Sequence, residues 1–282
     1  MKYTLRGDAV NTNISFEIFP PRKAEALENI DLLLEDLCGH KPEYISVTYG
    51  AGGTTGKNTT LGIAQKIIHT YKTPSMVHLT CLYQTKADIA FLCDQFAEAG
   101  IKNVLALRGD RQDDKIEFGD FIYASDLVSY LKEQYDFTIW AACYPEGHTE
   151  SKNLDEDVAA LAYKVSCGVE RLISQLFFDT GAFCSFLDKA RSKGISVPID
   201  AGIMPVLDAS RVKRMVSMSN AEIPVSLQKI IDRYEDDSVS MYKAGIEYAV
   251  QQIEDVTRKT DSSVHLYVMN NSRSAKDILS SL

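Results

Sequence analysis

The chain is predicted to fold as a single-domain (β/α)8 barrel, and three features of its 282 residues predict it. Eight short apolar runs of strand character follow one another. Segments of helical period lie between them, and no Pro/Ser-rich linker, low-complexity tract or repeat interrupts the series. The candidate strands are Ile14–Phe19, Tyr44–Tyr49, Ser75–Leu79, Asn103–Leu107, Thr138–Ala142, Arg171–Gln175, Ile199–Ile203 and Val264–Val268. Eight such units suit the roughly 250 residues of this barrel type. An open doubly wound sheet is the alternative that the same alternation permits.

The helices follow from apolar spacing. Leu27, Ile30, Leu33, Leu34 and Leu37 make one stripe; Ile89, Leu92, Cys93 and Phe96 make another, which Gly100 closes as a C-terminal cap. The longest stripe runs through Val239, Tyr242, Ile246, Ala249, Ile253 and Val256. Asp155, Glu156 and Asp157 cluster where the helix after the fifth strand begins, and negative charge suits that end of the helix dipole. The segment from Ile203 to Asp261 exceeds one βα unit, which predicts an extra helix around 224–231, and a last helix fits Ser274 to Leu282.

Composition narrows the function. A formal net charge of −9 argues against a nucleic-acid or anionic-membrane partner, because either needs a basic face. Met1 to Asn13 holds no apolar core of signal-peptide length, and no run approaches ~18 apolar residues. These features point to a cytoplasmic protein. Cys38, Cys81, Cys93, Cys143, Cys167 and Cys184 lie in apolar stretches with no CxxC and no metal-ligand spacing to histidine. They read as buried thiols in a reducing compartment, and no metal site is expected.

In a barrel the chemistry sits at the C-terminal ends of the strands and in the loops that follow. The first strand carries Glu17 between Phe16 and Phe19, and Pro20-Pro21 ends it. Burying even a neutral polar group unpaired costs roughly 2–7 kcal/mol, so an apolar setting would raise the pKa of Glu17 and make it a proton donor. The other strand ends offer Thr48 and Tyr49, His78 and Thr80, Arg108-Gly109-Asp110, Tyr144 to His148, Ser174-Gln175, and Tyr267 with Asn270 and Asn271. Taken singly, each has a plain structural reading, such as a core histidine or a turn. Jointly they favour a large polar ligand.

Ala51-Gly52-Gly53-Thr54-Thr55-Gly56-Lys57-Asn58 imitates a phosphate-binding P-loop, but Ala51 replaces the first glycine and Asn58 the magnesium-binding hydroxyl. It reads as a flexible approach to a ligand instead. No GxGxxG fingerprint occurs, so any dinucleotide is held by other means than a Rossmann turn.

Taken together, FEIFPP (16–21), VTYGA (47–51), HLTC (78–81), ALRGD (106–110), YASDL (123–127), YPEGH (144–148), SQLFFD (174–179), GIMPV (202–206) and HLYVMN (265–270) resemble methylenetetrahydrofolate reductase. The match spans nearly the whole chain in order, and corresponds to the catalytic domain alone. The resemblance implies a flavin-containing (β/α)8 barrel that binds FAD and uses NADH or NADPH to reduce 5,10-methylenetetrahydrofolate to 5-methyltetrahydrofolate. It also implies a homo-oligomer, a dimer or a tetramer. Glu17 matches the general acid that protonates N10, leaving a 5-iminium to accept hydride. Asp110 matches a residue beside the flavin pyrimidine edge and the pterin. Arg108 and Gly109 match FAD contacts, with Tyr49, Ala51, His78 and Ala124 on the flavin side. Tyr144, His148, Ser151, Asp157 and Lys164 match ribityl, diphosphate and adenosine contacts. Thr48 and Gln175 match nicotinamide contacts, and Gln175 and Tyr267 pterin contacts.

The chain departs from the pattern at five positions. Met215 stands where an aromatic residue is expected, Ala160 for asparagine, Tyr163 for arginine, Arg211 for glutamine and Asn271 for arginine. The lost guanidinium makes Arg211 or Arg273 the expected holder of the folate's glutamate tail. A metal-free barrel lyase or pterin-binding transferase, and a partner subunit without turnover, are the alternatives; the presence of both Glu17 and Asp110 argues against the latter.

Overall fold

Strand residues alternate between two faces of a sheet, and here the alternation sorts side chains by polarity. The computed structural model describes the backbone of residues 2–4, 11–21, 29–49, 54–111, 117–217 and 219–282. It describes side chains in 12–21, 29–49, 59–111, 117–216 and 219–282. Strands β1 (Lys2–Thr4), β2 (Asn11–Ile18), β3 (Ile45–Val47), β4 (Ser75–Thr80), β5 (Asn103–Leu107), β6 (Thr138–Cys143), β7 (Arg171–Ser174), β8 (Ile199–Ile203) and β9 (Val264–Tyr267) are hydrogen-bonded in chain order. β9 also pairs with β2, so β2 to β9 form a (β/α)8 barrel and the open doubly wound alternative is excluded. The sequence reading missed β1, which is too short for a period to register; it lies antiparallel on β2, with Lys2 opposite Asn13.

The register runs Phe16 to Ile45, Ile18 to Val47, Val47 to Val77, Val77 to Val104 and Val104 to Ile139. This class is apolar and fully buried, as parallel strands covered by helices require. The other class runs Glu17 to Ser46, Ser46 to Met76 and His78 to Leu105 to Trp140. It carries the polar groups.

The helices are α1 (Ile30–Gly39), α2 (Thr54–His69), α3 (Lys86–Glu98), α4 (Ala124–Gln134), α5 (Leu154–Ser166), α6 (Thr180–Ser192), α7 (Ala209–Ser217), α8 (Val225–Tyr234), α9 (Ser238–Lys259) and α10 (Ser272–Leu279). By internal contacts the chain divides into two units. The first comprises Ser15–Ala142 and Tyr163–Leu172; the second Met1–Ile14, Cys143–Ala162 and Ile173–Leu282.

In the first unit, α2 packs on β3 and β4, and α4 on β5. Thr85 starts α3 with a capping box, accepting from Asp88 N at 3.1 Å while Asp88 accepts from Thr85 N at 2.9 Å. Toward the strand beginnings, Arg171 grips Glu43 with two hydrogen bonds of 2.7 and 3.3 Å and lies 4.7 Å over the Trp140 ring. Tyr44 meets Trp140 edge-on at 4.9 Å, and the indole N–H donates to Asn103 Oδ1 at 3.3 Å. The charged and polar groups of this plug satisfy one another, the condition for burying them.

In the second unit, Asp237 caps α9 by accepting from Val239 N and Ser240 N. The buried stripe of α9 runs Met241, Gly245, Ile246, Ala249, Gln252, Ile253 and Val256. Val239, expected in that stripe, is 64% exposed, because the first turn projects beyond the core. Tyr242 is half-buried at its edge, bonded to Asp277 at 2.8 Å. Two contacts fasten α9 to the segment after β7: Tyr248 to Phe178 O at 2.7 Å and Gln252 to Phe177 O at 2.8 Å. Of the cysteines, Cys167 and Cys184 are only half-buried, since both sit away from the strands and the inner helical faces. Among the described residues no helix is long and apolar enough to cross a membrane.

Gly245 lets α9 lie against the chain after β8: a Cβ there would overlap Val206 O. A backbone oxygen cannot rotate away. Gly245→Ala is expected to lower the unfolding free energy by about 1–3 kcal/mol despite alanine's better helix propensity, measured by urea unfolding.

Candidate active site

Glu17 stands one residue before the end of β2, and its Oε2 lies 3.5 Å from His78 Nε2 on β4. The small Ser46 on β3 leaves room for a carboxylate to reach across from one strand toward the next but one. Glu17 is 21% exposed and His78 8%. Of the two flanking rings, Phe16 is fully buried on the opposite face of the strand, and Phe19 is 39% exposed. The close neighbour is an imidazole.

Around this pair the first unit positions the loop after β5. Arg108 O accepts from Cys81 N at 3.1 Å and Leu82 N at 2.9 Å, tying it to the chain after β4. Arg108 Nε donates to Gly109 O at 3.1 Å. Gly109 has φ +89°, open to glycine at little cost, and its Cα side faces Thr80. Asp110 follows, exposed. Thr48 N extends the ladder to Ile18 O at 3.0 Å, and Thr48 O accepts from Thr60 at 3.0 Å. The Tyr49 hydroxyl is buried with no hydrogen-bond partner among the described residues; burial, then the negative charge of Asp88, raises its pKa. Ala124 opens α4. Lys164 on α5 donates to Ala142 O at 2.7 Å. Residue 50, Ala51 to Gly53 of the P-loop-like stretch, and the side chains of residues 54–58 lie outside the described residues.

The second unit brings together the remaining groups. Tyr144 and His148 meet edge to face at 4.7 Å after β6. Glu150 N donates to His148 Nδ1 at 3.1 Å, so a neutral His148 carries its proton on Nε2 as a donor. Ser151 Oγ donates to the buried Asp157 at 2.9 Å. Gln175 N donates to Cys143 O at 2.7 Å, and Gln175 Oε1 accepts from Leu176 N at 2.8 Å. Tyr267 donates to Ser174 O at 2.7 Å, crossing over Gly202 of β8. A cavity of about 50 Å³ opens beside Tyr267, lined also by Met204, Arg211, Met215, Met269 and Asn271. Met269 and Asn270 hold positive φ, 50° and 56°, in succession, a strained end to β9.

Reading the sequence by strand ends missed three groups. Asp200 and His265 are fully buried on β8 and β9, and the alternation in those strands was the available signal. Glu146 stands in YPEGH among the strand-end groups without a role of its own, since nothing local marks a carboxyl whose oxygen a distant loop buries. Among the described residues no cluster of His, Cys, Asp or Glu suits a metal ion.

The sequence profile of the family "Methylenetetrahydrofolate reductase" matches residues 2–282. The 5,10-methylenetetrahydrofolate reductase of Escherichia coli (strain K12) is 35% identical over 92% of this chain and 86% of that protein. The chain belongs to the methylenetetrahydrofolate reductase family. Methylenetetrahydrofolate reductase (NADH) 1 of Arabidopsis thaliana is 33% identical over 96% of this chain, which spans 48% of that longer protein. Dihydropteroate synthase of Thermus thermophilus shares the fold, with TM-score 0.52 at 12% identity over 99% of this chain and 98% of that one. At that identity the likeness concerns the barrel alone.

The structure locates the departures from the methylenetetrahydrofolate reductase pattern. Asn271 caps α10, its side chain accepting from Ser274 N at 3.2 Å. Arg211 and Met215 of α7 line the Tyr267 cavity. Arg273 is engaged elsewhere, 3.7 Å from Asp277 and 5.1 Å over the Tyr242 ring. Ala160 and Tyr163 are exposed on α5.

A Cβ on Gly202 would overlap Ser174 O and lie 2.7 Å from two atoms of the Tyr267 ring and hydroxyl. Gly202→Ala is therefore expected to displace Tyr267 and cost about 1–3 kcal/mol in denaturant unfolding, against about 1 kcal/mol for Tyr267→Phe. A Gly202→Ala effect smaller than that of Tyr267→Phe would refute the close-packing account.

Proposed function

We propose that this chain reduces 5,10-methylenetetrahydrofolate to 5-methyltetrahydrofolate, with FAD as resident cofactor and NADH or NADPH as donor. It does so as one barrel domain, in a cytoplasmic homo-oligomer. Family membership over residues 2–282 supports the reaction, and the word NADH in the names of plant relatives supports a nicotinamide donor. The observation that carries the reading is the Glu17 carboxyl, held at a strand end beside His78.

The residues present suit a flavin. The buried Tyr49 hydroxyl has no hydrogen-bond partner among the described residues, His148 offers an Nε2–H, and Gly109 lets a ligand approach the backbone. Arg108, Gly109, Asp110, Tyr49, Ala51, His78 and Ala124 would hold the ring side. Tyr144, His148, Ser151, Asp157 and Lys164 would hold the ribityl, diphosphate and adenosine. When bound, FAD supplies the hydride relay between nicotinamide and folate. Thr48 and Gln175 would meet the nicotinamide, and Gln175 and Tyr267 the pterin.

Glu17 supplies the proton. It protonates N10 of the folate as the one-carbon bridge opens, and the carboxylate left behind faces His78. Asp110 keeps a fixed negative charge that favours a cationic folate. Arg211, at the cavity beside Tyr267, is the cation placed to meet the folate's glutamate carboxylates, since Arg273 is turned to Asp277.

The purified protein is expected to be yellow, to bleach with NADH or NADPH without air, and to recolour with methylenetetrahydrofolate. Glu17→Gln should leave the bleaching step within about threefold and slow recolouring by at least about a hundredfold, seen by stopped-flow absorbance. Equal loss in both half-reactions would make Glu17 structural. Arg211→Met should raise the folate KM roughly tenfold at similar kcat, whereas Arg273→Met should not. If both variants keep the parental KM, the assignment of the tail fails.

A further inference from the structure

Glu146 lies between Tyr144 and His148, in a loop that turns through a hydrogen bond from Gly147 N to Tyr144 O of 3.0 Å. Its Oε1 accepts the backbone N–H of Glu222 at 3.0 Å, in the segment joining α7 to α8. A Cβ built on Gly147, where φ is +87°, would lie 4.0 Å from Asn220 Nδ2 of the same segment, in van der Waals contact. The other carboxyl oxygen, Oε2, is buried with no hydrogen-bond partner among the described residues. The charged groups acting on Glu146 from the packed segments are Glu222 itself and Asp179, the N-cap of α6, and both are acidic. A half-buried acid with one buried carboxyl oxygen and acidic neighbours is a poor way to stabilise a fold. Leucine or methionine would fill the space at less cost, but neither can accept the Glu222 N–H.

We propose that Glu146 is a positioning residue, a latch that ties the Tyr144–His148 loop to Glu222 and so sets the pose of the two rings for the cofactor. The inference rests on the flavin reading above. Within the loop, Tyr144 and His148 meet edge to face, and the His148 tautomer depends on Glu150 two residues on. Those contacts fix the rings relative to each other and to their own turn. The Glu146 carboxylate joins this turn to Glu222, in the segment between α7 and α8.

The latch has a pH dependence of definite sign. Burial pushes the pKa of Glu146 up, the Glu222 N–H partly offsets the rise, and the charges of Glu222 and Asp179 add to it. A carboxylate accepts more strongly than a neutral carboxyl, so the latch weakens as pH falls through this raised pKa. Stability runs the other way. The folded chain prefers protonated Glu146, so its contribution to stability falls as pH rises from the unfolded to the folded pKa.

The test compares Glu146→Ala and Glu146→Gln, measuring FAD dissociation constants against pH by flavin fluorescence and amide exchange of 144–151 and 219–224 in cofactor-free protein. Glu146→Ala is expected to weaken FAD binding roughly tenfold at neutral pH and to speed exchange in both segments. Glu146→Gln keeps an acceptor: binding should stay within about threefold, lose its acid-side pH dependence, and accompany a higher Tm at neutral pH. Unchanged exchange in Glu146→Ala overturns the latch. Faster exchange with unchanged FAD affinity overturns its role in positioning. A parent protein that binds no FAD, with exchange behaving as expected, overturns the flavin reading and the positioning role while the latch itself stands.

Discussion

Alternation along covered parallel strands is the constraint on which the site depends. Ile14, Phe16 and Ile18 of β2, Ile45 and Val47 of β3, and Val77 and Leu79 of β4 form one class and are fully buried. Their register partners belong to the same class on the next strand. That leaves Glu17, Ser46 and His78 together on the other face. A one-residue slip would exchange Glu17 for Phe16 and put a carboxylate against the helices, at a cost of several kcal/mol. Core packing and the Glu17–His78 contact are thus enforced by the same register.

The second unit shows how shape is obtained from missing atoms. Gly202 leaves the space that the Tyr267 ring crosses to reach Ser174, and Gly245 lets α9 settle on Val206. Next to them, Met269 and Asn270 take left-handed backbone that costs on the order of 1 kcal/mol or more each. Asn271 then caps α10, which helps hold that turn. Strain, close approach and a small cavity lined by three methionines occur together around the end of β9. Methionine adapts to a flat ring without demanding one orientation, a property suited to the position of Met215.

The two ends of the strands treat charge differently. At the beginning of the strands, Glu43, Arg171 and Trp140 satisfy one another, so the polar groups there contribute to stability and leave nothing for a ligand. After the strands, Tyr49 and Glu146 each bury an oxygen with no hydrogen-bond partner among the described residues. Polar groups that satisfy one another at the strand beginnings, and buried oxygens with capacity to spare after the strands, suit the division between a barrel's stabilising and functional faces.

Eight strands, their order and the helices between them were legible in the sequence, because burial on both faces leaves short apolar runs and covering helices leave stripes every three or four residues. Glu17 was legible too, as a charge inside such a run. Its surroundings were not: Phe16 is its neighbour in the chain but faces away, and His78 is 61 positions on yet lies 3.5 Å from it. β1 and the exposure of Val239 also escaped, the first because three residues carry no period and the second because a stripe does not reveal where the core stops. Asn271, which the resemblance reads as the place of a missing guanidinium, caps α10, and Arg211 lines the cavity beside Tyr267 while Arg273 lies near Asp277, placements that no local pattern marks. Sequence pattern records which residues must avoid water. Which polar groups then meet depends on register and loop packing, interactions between segments far apart in the chain that no local spacing encodes.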